Sequence, residues 1–249
     1  MLRASLLILI ALVGAGTQAL ANPRCEGRVF DGLSYTVCSA DARKDEIRLF
    51  LDGPSGEKFG QFAAVDGALQ TEGKQLAFAM NGGMYHDDRR PVGHYIEDGL
   101  EVMRVVPNAG PGNFGLLPNG VFCVRDGRVD VIETLIYEAR RPDCRFATQS
   151  GPMLVIDGKL HPRFLPGSTS RYVRNGVGTS ADGFTAYFVI SDQAVTFHEF
   201  ARIFRDDLGV PQALFLDGSV SRLYARDLNR SDFGRWIGPI VGVVEPLAR

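Results

Sequence analysis

The sequence predicts an α+β fold, a single domain of largely antiparallel sheet with a few packed helices. Three observations carry this. Short apolar or alternating runs of strand length recur through the chain. Asp-Gly stands between such runs at Asp98-Gly99, Asp126-Gly127, Asp157-Gly158 and Asp182-Gly183, and Asp-Gly between hydrophobic stretches is the signature of a tight hairpin. Only two segments carry a helical pattern.

In chain order, Met1-Leu2-Arg3, the apolar run from Leu6 to Val13 and Ala19-Leu20-Ala21 read as a secretory signal peptide cut after Ala21, leaving a mature domain over 22–249. The apolar run is too short to span a bilayer comfortably. No later stretch is long and apolar enough to do so, so no membrane span is expected after cleavage. Strands are predicted at Phe30–Val37, Ile47–Leu51, Leu76–Met80, Val121–Val124, Val129–Ile132, Met153–Ile156 and Thr185–Ile190. Val92–Ile96 reads as a further strand carrying His94. A helix is expected over Phe59–Leu69. A second, Phe197–Leu208, opens on the capping box Thr196/Glu199 and buries Phe197, Phe200, Ala201, Phe204 and Leu208 before Gly209 stops it. Pro107–Pro118, rich in Gly and Pro, reads as a surface loop, with a flap over a site as the alternative.

All four cysteines lie in the exported part, where disulfides form. Cys25–Cys38 and Cys123–Cys144 are the favoured pairs, because each flanks a hairpin and closes a short loop. The absence of C-x-x-C argues against a thiolate metal site. The chain has 27 Lys+Arg and 29 Asp+Glu, and Arg3 leaves with the leader. The mature charge is then about −3 with no basic stripe, which disfavours nucleic acid and anionic lipid as partners.

Three remote segments share one pattern: Asn81-Gly82-Gly83-Met84-Tyr85, Arg174-Asn175-Gly176-Val177-Gly178 and Leu216-Asp217-Gly218-Ser219-Val220-Ser221. Each sets a polar side chain beside glycine at the edge of an apolar run. Such strand ends are common places to build a site, and amide, guanidinium and carboxylate together suit a polar, anionic ligand. Asn81 offers a donor and an acceptor, and the amides of Gly82 and Gly83 could converge on an anion. Arg174 offers a bidentate fork for phosphate or carboxylate, with Arg171 a weaker second. Asp217, followed by the hydroxyls Ser219 and Ser221, suits acid–base or nucleophilic work. Gln149-Ser150-Gly151-Pro152 is a further polar turn able to line the pocket, though Ser150 lacks a nucleophile-elbow context. His86-Asp87-Asp88 reads as a solvated turn, and neither metal nor cofactor is expected.

These residues resemble the phosphodiester glycosidase family. Asn81-Gly82-Gly83, Gly151-Pro152 ahead of Asp157-Gly158, Arg174 with Val177-Gly178, and Leu216-Asp217-Gly218-Ser219 follow the family's order and spacing, from about Leu76 to Ser221. One departure stands out: Ser219-Val220 replace two glycines of the usual Leu-Asp-Gly-Gly-Gly-Ser segment. The resemblance implies an α+β fold with a surface cavity, and hydrolysis of a sugar-1-phosphodiester on the sugar side. It carries Asn81, Gly82, Gly83, Arg174, Asp217, Gly218 and Ser219 over as cavity residues. Tyr85, Gln149, Ser150, Asn175 and Ser221 join them as substrate-binding candidates, and Asp217 and Arg174 are the catalytic candidates. Glu97 and Asp98 are possible second carboxylates. A non-catalytic module binding phosphorylated glycans and a metal-dependent phosphodiesterase are the competing classes.

Overall fold

The computed structural model describes residues 24–247; the expected leader, 1–21, lies outside the described residues. In chain order the strands are β1 (Cys25–Phe30), β2 (Leu33–Asp41), β3 (Glu46–Phe50), β4 (Lys74–Asn81), β5 (Tyr95–Glu97), β6 (Leu100–Met103), β7 (Gly120–Arg125), β8 (Arg128–Glu133), β9 (Phe146–Ser150), β10 (Met153–Ile156), β11 (Lys159–Leu160), β12 (Asn175–Thr179), β13 (Thr185–Ser191), β14 (Gln212–Asp217), β15 (Leu223–Ala225), β16 (Arg230–Ser231) and β17 (Ile240–Pro246). The helices are α1 (Phe62–Gln70), α2 (Thr134–Arg140) and α3 (Phe197–Arg202), the last continuing as a π-helical turn over Ile203–Asp207.

Three sheets form. One runs β1-β2-β13-β12-β14-β10-β11, a second β16-β15-β4-β17-β3 and a third β6-β5-β9-β7-β8. Neighbouring strands pair antiparallel throughout, as the Asp-Gly turns predict. The three inner faces enclose one core to which each sheet contributes, for example Val177, Phe188 and Leu216 from the first, Phe78 and Met80 from the second, and Phe122 and Phe146 from the third. Strand alternation sends the next residues to the opposite face. On β12, Val177 enters this core, while Gly176 and Gly178 face α3 and the turn after it. A Cβ on Gly178 would come within 2.8 Å of Phe204 and of Val210, and one on Gly176 within 2.7 Å of the Leu214 carbonyl. Both glycines are therefore required for close packing of the helical layer on the sheet. The second sheet has its own satellite core against α1, built on Phe62, Val65 and Leu69.

Four features differ from the sequence expectation. Phe30–Val37 is not one strand: Asp31 and Gly32 both take positive φ (49° and 74°) and turn the chain into the β1–β2 hairpin. His94 precedes a strand that starts at Tyr95. The expected second helix converts to π geometry at Ile203. A short α2 forms where no pattern announces it, started by Glu133 capping the Ile136 amide. The remaining expected strands and the Thr196/Glu199 capping box form, and the first helix runs Phe62–Gln70 where Phe59–Leu69 is expected. Both disulfides form as paired, and Cys25 and Cys38 are direct cross-strand partners.

Candidate active site

The site lies where one end of all three sheets meets. β4 ends at Asn81, β14 ends at Asp217 and β9 ends at Ser150, while β12 begins at Asn175. Side-chain to backbone bonds join the sheets there. Asn175 Nδ2 donates to the Asn81 carbonyl at 3.0 Å, Thr148 Oγ1 to the Gly82 carbonyl at 2.7 Å and Ser150 Oγ to the Leu216 carbonyl at 3.0 Å. Asn175 and Asp217 are cross-strand partners.

Asp217 is 6% exposed, and both its oxygens are held. Oδ1 accepts from the amides of Gly218 at 2.6 Å and Ser219 at 2.9 Å, and Oδ2 accepts from Asn81 Nδ2 at 3.0 Å. Burial pushes its pKa up; the backbone amides of 218–220 and the Asn81 side chain pull against that shift. The result is a desolvated carboxylate with fixed orientation and a proton affinity above the ordinary.

Asn81 is spent on this arrangement. Its second Nδ2 hydrogen goes to the Val220 carbonyl at 2.9 Å, and its Oδ1 accepts from the Arg222 amide at 2.8 Å. It therefore positions Asp217 and pins both ends of the 217–222 loop, leaving no donor for a ligand. The Gly82 amide likewise donates to the Pro239 carbonyl at 2.7 Å and does not face an anion. A Cβ on Gly82 would lie within 2.9 Å of the Ile240 backbone, so this glycine serves strand packing. Gly83, at φ 156°, approaches Thr148 Oγ1 too closely for a side chain.

Arg174 is 1% exposed. Its amide donates to Ser191 Oγ, its Nε to the Val195 carbonyl at 2.9 Å and its Nη2 to the Ser170 carbonyl at 3.2 Å. The guanidinium stacks on Phe197, 3.7 Å from the ring centroid, with Tyr172 and Phe215 farther off. Nη1 is buried and finds no acceptor among the described residues. It sits against Gly218, 3.4 Å from where a Cβ would stand. Burial draws its pKa down to about 10, which leaves it charged at neutral pH. A buried cation whose Nη1 is unmatched thus stands next to the turn that carries Asp217, without itself lining the cavity beside that turn.

Above the turn lies a cavity of about 410 Å³, lined by Asp217, Gly218, Ser219, Val220, Met84, Tyr85, Val92 and the segment Pro111–Phe114. The Pro107–Pro118 loop thus supplies a wall of the cavity. Tyr85 reaches the rim, where its hydroxyl donates to the Trp236 carbonyl at 3.4 Å; burial first, then the Asp217 charge, raises its pKa.

A sequence profile for phosphodiester glycosidases matches residues 74–244, a span that contains every one of these segments. The chain belongs to the phosphodiester glycosidase family. It is 34% identical over 214 residues to the Escherichia coli (strain K12) protein YigE, itself described as uncharacterized, with 86% of this chain and 80% of that protein covered. Its fold matches the zebrafish N-acetylglucosamine-1-phosphodiester alpha-N-acetylglucosaminidase catalytic domain, auto-inhibited by its pro-peptide, at TM-score 0.61 and 16% identity over 89% of this chain and 83% of that one. A hypothetical protein from Synechocystis matches at TM-score 0.59 and 14% identity, over 88% and 61% of the two chains.

Within this phosphodiester glycosidase fold, the remaining sequence candidates divide between the cavity, the sheet junction and places away from both. Gly218, Ser219 and Tyr85 line it. Gln149 is buried and its amide is fully engaged, with Oε1 accepting from the His94 and Val106 amides and Nε2 donating to the Val106 carbonyl and Thr134. Ser150 and Asn175 bond across the sheet junction. Ser221 Oγ lies 2.9 Å from the Asp217 carbonyl and 3.0 Å from that of Val173. None of these four lines the cavity. Arg171 pairs with Glu199. Glu97 and Asp98 line a different cavity, of about 470 Å³, bounded by β3 and α1. His94 is structural, its ring bonded to the Met103 carbonyl and Tyr137. Among the described residues no three His, Cys, Asp or Glu side chains gather as a metal-holding set. Sequence reasoning missed Arg222, buried and bonded to the Asp232 and Arg235 carbonyls and to Gln61 Oε1. Nothing in the sequence marks it beyond its position next to Ser221.

Proposed function

We propose that this chain is a hydrolase that cleaves the sugar–phosphate glycosidic bond of a sugar-1-phosphodiester and releases a phosphomonoester. The observation that carries the reading is the pairing of a buried, doubly held Asp217 with the unmatched Arg174 Nη1 on the two sides of the Gly218 turn. Membership of the family and the activity for which the zebrafish relative is named support it, and make an N-acetylglucosamine 1-phosphodiester the first substrate to try.

Cleavage at the anomeric carbon passes through an oxocarbenium-like state. The phosphate leaving group is already acidic, so it needs stabilisation more than protonation. Arg174 provides positive charge at the turn, and preorganised charge in a water-poor site is where such stabilisation is strongest. Asp217 acts at the sugar. It either takes the proton of the attacking water, whose oxygen bonds to C1 as the C1–O bond to phosphate breaks, or steadies an N-acetyl group that attacks C1 from within. In both routes the bond electrons leave with the phosphate.

The test is turnover of an N-acetylglucosamine 1-phosphodiester. Asp217→Asn is expected to lose about 10³-fold in kcat/KM, and Arg174→Ala about 10²-fold. Near-wild-type rates in both variants refute the assignment. Tight binding of the diester without turnover in the wild type would instead favour a non-catalytic binding module, a reading the Ser219-Val220 substitution of two family glycines leaves open. We further propose that the chain is exported with its 1–21 leader removed. The two disulfides support an oxidising compartment, and N-terminal sequencing of the protein from cells should begin at Asn22.

A further inference from the structure

The rim of the cavity at Tyr85 carries a group that the reading above does not use. Arg89 sits in the tight turn after Tyr85, closed by the Arg89 amide donating to the His86 carbonyl at 2.7 Å and the His86 amide to the Arg90 carbonyl at 2.9 Å. It takes φ 65°, a left-handed conformation that a residue other than glycine seldom adopts. Backbone outliers of this kind cluster at functional sites. Its guanidinium lies over the Trp236 ring, 5.5 Å from the centroid. Trp236 in turn is seated on Gly60, where a Cβ would come within 2.6 Å of the indole, and its carbonyl accepts from Tyr85.

The stack is thus a built support for a cation, fixed to the residue that lines the cavity. Arg89 Nε is buried with no acceptor among the described residues. Asp88, the nearest carboxylate in sequence, is taken by Arg90, and neither Arg89 nor Arg235 forms an ion pair among the described residues. Both lie close enough to the Tyr85 phenol to bias its ionisation, in the sense opposite to Asp217. Phe233, 95% exposed, and Trp236, 52% exposed, flank the same stretch. Basic charge without acidic partners, on an aromatic support that is part exposed, fits an anion attached to a larger molecule.

We propose that Arg89, held over Trp236 at the Tyr85 edge of the cavity, is a second anion-binding arm that takes a negative charge carried by the alcohol part of the substrate, beyond the scissile phosphodiester. The inference rests on the proposed function for its ligand class. It predicts a preference for diesters whose alcohol bears a phosphate or a carboxylate over those whose alcohol is neutral.

The experiment compares the methyl, 2-carboxyethyl and 2-phosphoethyl diesters of N-acetylglucosamine 1-phosphate. For the wild type, KM for at least one charged diester should lie about tenfold below that of the methyl diester, with similar kcat. Arg89→Ala should raise the charged KM to the methyl value and leave methyl turnover unchanged. Arg89→Gly, which relieves the positive φ, should do the same, so a folding defect in the alanine variant does not decide the outcome. Trp236 is the only tryptophan in the chain, so its emission reports the arm directly: charged diesters should shift it and the methyl diester should not. Equal KM values for all three diesters in the wild type, or an equal KM rise for all three in Arg89→Gly, overturn the arm. If no diester is turned over, the proposed function falls. The emission titration then decides the arm alone: a response to charged diesters only supports it, and none, or an equal one to the methyl diester, overturns it.

Discussion

Asn81 illustrates how a residue at a site can matter without touching the ligand. One amide satisfies an oxygen of Asp217, a carbonyl at Val220 and an amide at Arg222. Asn81→Ala would strand all three in a buried place, so we expect a loss of about 3 kcal/mol in urea unfolding, together with a fall in turnover that follows the misplacement of Asp217. Asn81→Asp would set two carboxylates together, and its turnover should recover partly below neutral pH. Glu97 makes a second case, of stability alone. Burial raises its pKa to about 7, whereas the unfolded chain ionises it near the ordinary 4.5. The fold therefore holds a proton that the unfolded chain has lost, and stability drains away as pH rises from 4.5 to 7, then levels off. The amount is on the order of 3 kcal/mol. Glu97→Gln should flatten that stretch of a melting-temperature profile against pH; an unchanged slope would contradict it. Of these residues, Asp217, Asn81 and Arg174 were legible as a set in the sequence because each stands beside glycine at a strand edge. Their division of labour was not. Only the hydrogen bonds separate the carboxylate that faces the cavity from the amide that holds it.

At the scale of elements, the apolar run of β14 that ends at Asp217 is readable from composition, whereas β12 is not among the predicted strands and its glycines make sense only from packing. Gly176 suggests a ligand turn by itself; in the fold it admits the Leu214 carbonyl at a distance no side chain allows. We expect Gly176→Ala to cost about 2 kcal/mol or more through backbone displacement, and to lower turnover by moving Asn175 and Asp217 apart. Circular dichroism melts paired with a rate assay would check both. Thr196→Ala removes a cap read correctly from sequence, and should cost about 1 kcal/mol. The strand predicted at Phe30–Val37 runs across the turn of the hairpin expected between Cys25 and Cys38, because Leu33–Val37 continues the apolar character of Val29–Phe30 past Asp31-Gly32. A turn inside a continuous pattern is set by φ, not by hydropathy. α2 escaped notice for the opposite reason: Leu135 and Ile136 point outward, so the helix lacks an apolar stripe.

For the whole molecule, the three sheets share one core, and the site is their common corner. Cys25–Cys38 ties the β1–β2 hairpin at the edge of the first sheet, and Cys123–Cys144 ties the interior strand β7 to the segment entering β9, the latter across 21 residues. Replacing Cys123 and Cys144 by alanine should lower stability by about 3 kcal/mol, from loop entropy, and the melting temperature by roughly 10 °C. Little change would mean that the unfolded chain is already constrained there. The sequence by itself determined the class of fold, the hairpin turns at Asp-Gly, the disulfide pairing and the family, because these depend on local backbone preference and on the order of motifs. Tertiary structure alone decided that a Pro/Gly loop walls the cavity, that Gln149 and Ser150 do not line it, and that Arg174 keeps its Nη1 group unmatched among the described residues. Those facts depend on which distant groups meet after burial, and hydrogen bonding between remote strands leaves no trace in local pattern.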